Sequence, residues 1–289
     1  MVAVAGVVLA GGASRRMGTP KASLEWHGST LLRRVVGLVG RAVDGPMIVV
    51  AASGQALPEL PPDAIVRADP REGLGPLQGL AVGLAAAAGI GVPAAVVCPT
   101  DVPLLHPAVL RRVVAHLRDG VDVALPVVDG RAEPLLAAYR TSLAPSVETW
   151  LAAGERRLGV VADRARAARV TMADLLADPA VRAGDPQLRS LHNVNDSGAY
   201  RVARARPAPT VTVDGPAGTH VVRAATVAAA VAAAHASDDD TVAQFDGATV
   251  TGGHVSGDVV VQLDGRTVTD GATPLVDGDV VTVGVAGGG

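Results

Sequence analysis

Three continuous apolar runs, Val2–Leu9, Met47–Ala51 and Ala94–Cys98, stand in the chain with helix-patterned stretches between them. Short β-branched runs of this kind are buried strands, and their alternation with helices specifies a parallel sheet covered by helices. Further strands are expected at Ala64–Ala68 and Val121–Pro126. Helices are expected from about Thr30 to Val43 with Ser29 as N-cap, over Leu77–Ala88, from Pro107 to about Leu117, and between Ser142 and Gly154. The fold class is therefore α/β with a mostly parallel, Rossmann-like sheet, and such sheets bind ligands at the carboxyl ends of their strands.

The pattern changes near Arg206. The run Arg204-Ala205-Arg206-Pro207-Ala208-Pro209 is proline-rich and patternless, which marks residues 204–209 as a linker between a domain at 1–203 and another at 210–289. A strand at Thr210–Val213, an Ala/Val helix at Thr226–His235, and strands near Thr241–Phe245, Val259–Leu263 and Val280–Val283 follow, between Asp-Gly turns. One helix against a few short strands describes a small α+β domain.

Composition removes several function classes. A net charge of −3 and 2% aromatic residues leave neither a basic footprint nor stacking platforms, so no nucleic-acid partner is expected. The single cysteine, Cys98, excludes an intramolecular disulfide framework and fits a reducing cytoplasm. No two of the seven histidines are spaced as a helical metal pair. Gly73 to Thr100 carries no charge, yet Gly75-Pro76, Gly89, Gly91 and Pro93 break it; it reads as a buried helix, a turn and a buried strand, and no membrane span is expected. The order of apolar Val2–Ala10 before Arg15 and Arg16 is the reverse of a signal peptide's.

The residues richest in chemistry follow the first strand: Leu9-Ala10-Gly11-Gly12-Ala13-Ser14-Arg15-Arg16-Met17-Gly18-Thr19-Pro20-Lys21. Glycines let a backbone approach a ligand closely, and Arg16 and Lys21 can neutralise a triphosphate. The spacing is neither that of a Walker loop nor that of a dinucleotide fingerprint. Asp101, just past the strand Ala94–Cys98, sits at the ligand-binding edge, where a carboxylate can hold Mg²⁺. No Ser-His-Asp or Cys-His arrangement is present, and Cys98 reads as a small buried hydrophobe.

This loop resembles the signature of nucleotidyltransferases that make activated sugars and cofactors, and most closely that of the molybdenum-cofactor guanylyltransferases. Asp69 with Gly75-Pro76-Leu77-Gln78-Gly79, Pro99-Thr100-Asp101-Val102-Pro103, Ala153-Gly154-Glu155-Arg156-Arg157 and Asn193-Val194-Asn195 resemble further segments of that family, in its order. The resemblance implies transfer of GMP from GTP to the phosphate of molybdopterin, with Mg²⁺ on Asp101 and charge neutralisation by Lys21 and Arg16. It implies a nucleotide site drawn from Leu9, Ala10, Gly11, Gly12, Lys21, Asp69, Gly75, Pro76, Gly79, Asn193 and Asn195. Two positions depart from it: Pro20 stands where the family has Asp before the lysine, and Ala51-Ala52-Ser53-Gly54-Gln55 lacks the Asn found after the second strand. A cytidylyltransferase for the same cofactor, a sugar-phosphate nucleotidyltransferase, and a non-enzymatic cofactor-binding or carrier protein therefore remain alternatives.

The C-terminal segments Gln262-Leu263-Asp264-Gly265-Arg266 and Thr273-Pro274-Leu275-Val276-Asp277-Gly278-Asp279-Val280-Val281, with the terminal Gly287-Gly288-Gly289, resemble β-grasp sulfur carriers such as the small subunit of molybdopterin synthase. In those carriers an adenylating enzyme activates the terminal glycine, so the resemblance implies Gly288 and Gly289 as the carrier end; one glycine beyond the usual pair and the lack of a preceding Pro-Pro depart from the pattern, and a degenerate β-grasp with an idle tail is the alternative.

Overall fold

In a computed structural model, residues 3–11, 20–71, 74–215, 218–236, 249–251, 254–256 and 259–285 are described. They pack into two compact units, one drawn from residues 1–25 and 30–203, the other from residues 26–29 and 204–289. Among the described residues no helix is long and apolar enough to cross a membrane.

The first unit contains, in chain order, β1 (Val4–Leu9), α1 (Leu31–Gly40), β2 (Met47–Ala52), β3 (Ile65–Asp69), α2 (Pro76–Gly89), β4 (Ala94–Pro99), α3 (Pro107–Val114), β5 (Val123–Val128), β6 (Ala137–Arg140), α4 (Ala144–Ala152) and β7 (Ala167–Thr171). They form a sheet in the order β7-β5-β6-β4-β1-β2-β3, with the two-residue strand Arg131–Ala132 paired to β5. β1 lies parallel to β2 and β4, β2 to β3, and β5 to β7; β6 alone in that order is antiparallel to its neighbours. β1, β4 and the first five residues of β2 are buried throughout, as strands covered on both faces must be.

The core is built from small side chains. Val7, Ile48, Leu77, Leu80, Leu84, Val97, Leu125 and Tyr139 are buried in one cluster between the sheet and helices α2 and α4. Close approach replaces bulk: a Cβ on Gly83 would lie 2.5 Å from Val7 Cγ1, and one on Gly79 would lie 3.4 Å from a Leu9 methyl. These two glycines, one helical turn apart, let α2 settle directly on β1.

Several boundaries differ from expectation, each for a local reason. Thr30 rather than Ser29 caps α1, its hydroxyl accepting from the Arg33 N–H at 3.3 Å. The helix stops at Gly40 instead of Val43, and the Ala42 N–H turns back to the Val39 carbonyl. Thr141–Leu143 forms a 3₁₀ turn that leads into α4, so Ser142 does not cap it. The fifth strand begins at Val123, two residues late, and β6 and β7 carry no apolar run that marks them in the sequence.

The second unit contains β8 (Thr210–Gly215), β9 (Gly218–Arg223), α5 (Val227–Ala236), β10 (Val259–Leu263), β11 (Arg266–Thr267) and β12 (Val280–Val285). Its five-stranded sheet runs β9-β8-β12-β10-β11, with β8 and β12 parallel and the other pairs antiparallel. Val211, Val213, Val227, Ala230, Val261, Leu275 and Val281 form its own apolar core. The expected strand at Thr241–Phe245 and the terminal Gly287, Gly288 and Gly289 lie outside the described residues.

Candidate active site

The carboxyl ends of β1, β2, β3 and β4 lie side by side, and those of β1, β3 and β4 each deliver a candidate residue to the same edge of the sheet. β1 leads into Ala10 and Gly11, β3 ends in Asp69, and β4 leads into Thr100 and Asp101. The Thr100 hydroxyl donates to the Leu9 carbonyl at 2.9 Å from a buried position, so the ends of β1 and β4 are fastened to each other at this edge.

Lys21 begins a 3₁₀ turn, Lys21–Ser23, and its ammonium lies 2.7 Å from Asp101 Oδ2 and 3.4 Å from Asn195 Oδ1. Three segments far apart in sequence are thus brought together. The turn is held by the Leu31 N–H, which donates to the Leu24 carbonyl at 2.9 Å, and by the Tyr200 hydroxyl on the Glu25 carbonyl at 2.5 Å. The Val194 N–H donates to the Asp101 carbonyl at 2.7 Å, which presents Asn195 beside Asp101.

The two oxygens of Asp101 differ. Oδ2 faces Lys21, whereas Oδ1 is buried and meets no hydrogen-bond donor among the described residues. A buried carboxylate oxygen without a donor is costly unless a cation completes it, so Oδ1 suits a hard divalent cation. Among the described residues no three His, Cys, Asp or Glu side chains form a metal cluster. A cation at Asp101 would then take its other ligands from water and phosphate oxygens, the usual condition of Mg²⁺.

The remaining sequence candidates are placed as follows. Asp69 is half-buried at the end of β3 and accepts from the Arg71 N–H at 3.0 Å. Gly75 precedes α2 at a φ of 77°, which glycine adopts without strain, and Pro76 opens the helix, so the α2 N-terminus follows the end of β3. Gly79 lies under Leu9. Asn193 is exposed, and it is Asn195 that accepts from Lys21. Gly12 and Arg16 lie outside the described residues. Burial raises the Cys98 thiol pKa and the Asp101 charge raises it further, so the thiolate is suppressed and Cys98 packs as an apolar group.

Sequence reasoning did not single out Gln55, Gln78 or Asp185. Gln55 joins the ends of β1 and β2 through its carboxamide. Gln78, in the first turn of α2, is buried with Oε1 unpartnered among the described residues. Asp185 is buried and accepts from the N–H groups of Arg189 and Ser190 and from the Ser190 hydroxyl, which in turn accepts from the His106 N–H at 2.8 Å. For Gln78 and Asp185 the signal is burial of a polar side chain, and for Gln55 it is a bond to a distant backbone carbonyl; sequence reveals neither.

Comparison with known proteins agrees with this geometry. Residues 6–170 match the MobA-like NTP transferase domain. A probable molybdenum cofactor guanylyltransferase of Mycobacterium tuberculosis is 44% identical over 176 residues, covering 60% of this chain and 86% of the relative. The protein so named from Mycobacterium marinum is 43% identical over the same length. The fold is shared with the crystal structure of molybdopterin-guanine dinucleotide biosynthesis protein A from Archaeoglobus fulgidus, at a TM-score of 0.54 and 24% identity, covering 69% of this chain and 96% of that one. A nucleotidyl transferase from Methanothermobacter shares it at a TM-score of 0.50 and 21% identity, over 70% of this chain and 96% of that one. A strand edge that brings Lys21 against Asp101, with a family match across most of the first unit, makes this chain a nucleotidyltransferase and a member of the MobA-like NTP transferase family.

Proposed function

We propose that the first unit transfers GMP from GTP to the terminal phosphate of molybdopterin, in the cytoplasm, as a step of molybdenum cofactor biosynthesis. The observation that carries this reading is the meeting of Lys21, Asp101 and Asn195 at one strand edge. An oxygen of the acceptor phosphate attacks the α-phosphorus of GTP in line, the bond to the bridging oxygen breaks, and pyrophosphate leaves. Every step is a displacement at phosphorus, so positioning and charge stabilisation supply the catalysis.

The residues divide the task. Leu9, Ala10, Gly11 and Gly12 offer backbone to the nucleotide, with Asp69, Gly75, Pro76 and Gly79 on its other flank. Lys21 and Arg16 offset charge that builds on the phosphates, and Asn193 and Asn195 complete the nucleotide site. Mg²⁺ bound at Asp101 Oδ1 would supply charge neutralisation on phosphate oxygens. The mycobacterial relatives, named as guanylyltransferases, support guanine over cytosine. The test is pyrophosphate release by the purified protein with Mg²⁺, molybdopterin, and GTP, CTP or ATP in turn. GTP-dependent release is expected; CTP preference reassigns the base, and silence with all three overturns the reading.

For the remainder we read the domains as 1–203 and 210–289 with the linker at 204–209, the second being a β-grasp domain. Its strand order supports this, since the first and last strands lie parallel and adjacent, with β9 antiparallel on the outer side of β8 and β10 antiparallel on the outer side of β12. The terminal Gly288-Gly289 is then a sulfur-carrier end and its partner an adenylating enzyme. Mass spectrometry of the intact chain after incubation with such an enzyme, ATP and a sulfur donor tests it: replacement of one terminal carboxyl oxygen by sulfur is expected, and an unchanged mass refutes it.

A further inference from the structure

After β2 the chain turns sharply, with the Gln55 N–H donating to the Ala52 carbonyl at 3.1 Å and Gly54 at a φ of 70°. The side chain of Gln55 then folds back over this turn. Its Oε1 accepts from the Ala52 N–H at 3.0 Å, and its Nε2 donates to the Ala10 carbonyl at 3.0 Å. The orientation of the carboxamide is fixed by its neighbours, because a backbone N–H requires the oxygen and a carbonyl requires the nitrogen. Gly11 lies against the same turn, where a Cβ would stand 3.5 Å from the Ala52 nitrogen.

The Ala10 carbonyl belongs to the same rigid peptide as the Gly11 N–H. In a trans peptide these two groups point in opposite directions, and the structure contains no cis bond among the described residues. A carbonyl held toward Gln55 therefore turns the Gly11 N–H away from it. The Ala10 N–H is held in turn by the Val50 carbonyl at 2.8 Å, so this strand end is fixed on both sides of Ala10. A pre-oriented backbone donor at the carboxyl end of a central strand is what an incoming nucleotide acceptor group requires.

We propose that Gln55 is a positioning residue of the nucleotide site, holding the Ala10–Gly11 peptide so that the Gly11 N–H faces a base carbonyl or phosphate oxygen of the nucleoside triphosphate. Gln55 acts through the backbone and does not touch the substrate. The proposal rests on the nucleotidyl-transfer reading above and gives the Ala51–Gln55 segment a role in it. Both ends of the carboxamide are needed: a glutamate keeps the acceptor for Ala52 but sets an anionic oxygen against the Ala10 carbonyl, and a methionine keeps the length but makes neither bond.

The experiment compares wild type, Gln55→Glu and Gln55→Met in steady-state pyrophosphate release, in equilibrium binding of GTP with Mg²⁺, and in thermal unfolding. In both variants KM and Kd for the nucleotide are expected to rise about five- to tenfold, more in Gln55→Glu, with kcat held within about twofold, the pattern of lost nucleotide binding. The apparent affinity for the acceptor is expected to stay unchanged. Active variants with unaltered nucleotide KM and Kd overturn this inference alone, as does a fall in Tm without a change in KM. A wild-type protein that binds no nucleoside triphosphate overturns both this inference and the reading on which it rests.

Discussion

Lys21 and Asp101 lie 80 residues apart in the chain, and the ammonium of one stands 2.7 Å from Oδ2 of the other. The pair is partly open to solvent, with side-chain exposures of 23% and 16%, so its contribution to stability is modest, about 1 kcal/mol or less. Its position at the strand edge gives it another use. Asp101→Asn keeps the shape and removes the charge, and is expected to lower NTP-dependent pyrophosphate release at least about a hundredfold while changing the unfolding free energy by about 1 kcal/mol or less. Retained turnover in this variant would mean that Oδ1 holds no catalytic cation.

Lys21→Met tests the other half of the pair. Loss of the ammonium leaves phosphate charge less compensated and frees Asn195 from its 3.4 Å contact. The expected result is a fall in kcat/KM of about tenfold or more, with Lys21→Arg intermediate because a planar fork cannot occupy the position of a compact ammonium. Equal activity in wild type and Lys21→Met would remove Lys21 from the site.

How much of this was legible in sequence depends on whether a residue acts locally. β1, β2 and β4 are unbroken apolar runs, so their burial is written in their composition. Asp101 is legible as a position because it follows such a run, and Lys21 because it closes a glycine-rich loop. β6 escapes because Ala137-Ala138-Tyr139-Arg140 holds no β-branched residue, and β7 because arginine and alanine occupy most of an edge strand. Gln55 and Ser190 escape for a different reason. Their partners, Ala10 and His106, lie 45 and 84 residues away, and a hydrogen bond of that span leaves no periodic trace.

The Asp185 carboxylate offers a test of how the late loop is held. It accepts at 2.8 Å from the Arg189 N–H, at 2.9 Å from the Ser190 N–H and at 2.6 Å from the Ser190 hydroxyl. This network fastens the segment to the start of α3 through His106, and the same segment continues to Val194 and Asn195. Asp185→Asn places an amide donor against one of these donors, and a loss of about 2–4 kcal/mol in urea unfolding is expected. Ser190→Ala, which removes one hydroxyl, should lose less. A larger effect in Ser190→Ala than in Asp185→Asn would contradict the view that the carboxylate organises the loop.

Gly83 measures how tightly α2 sits on β1. In an open helix, alanine is favoured over glycine by about 1 kcal/mol, but here the new Cβ would meet Val7 Cγ1 at 2.5 Å. Val7 is fully buried in a central strand and has no free space to move into. Overpacking of this kind costs about 1–3 kcal/mol, so Gly83→Ala should be neutral to destabilising and Gly83→Val clearly destabilising in equilibrium unfolding. A stabilised Gly83→Ala protein would show that α2 can lift from the sheet without loss.

Asp122 and Arg166 precede β5 and β7, and their pairing contributes to the acid limb of stability. The Arg166 guanidinium grips the carboxylate with two bonds, Nε to Oδ2 at 2.8 Å and an Nη2 to Oδ1 at 2.6 Å. The hydrogen bond from the Arg166 side chain is the main cause that holds the Asp122 pKa below its ordinary value, against a smaller opposing effect of burial. A carboxylate with a depressed folded pKa binds its proton more weakly in the folded state than in the unfolded chain. Its stabilisation is fully present above the ordinary aspartate range and is lost as pH falls through the depressed value. Wild type should therefore exceed Asp122→Asn in urea midpoint at neutral pH, and the difference should shrink steadily as pH falls through the carboxylate range. A difference that stays constant over that interval would show that the ion pair is not what the acid removes.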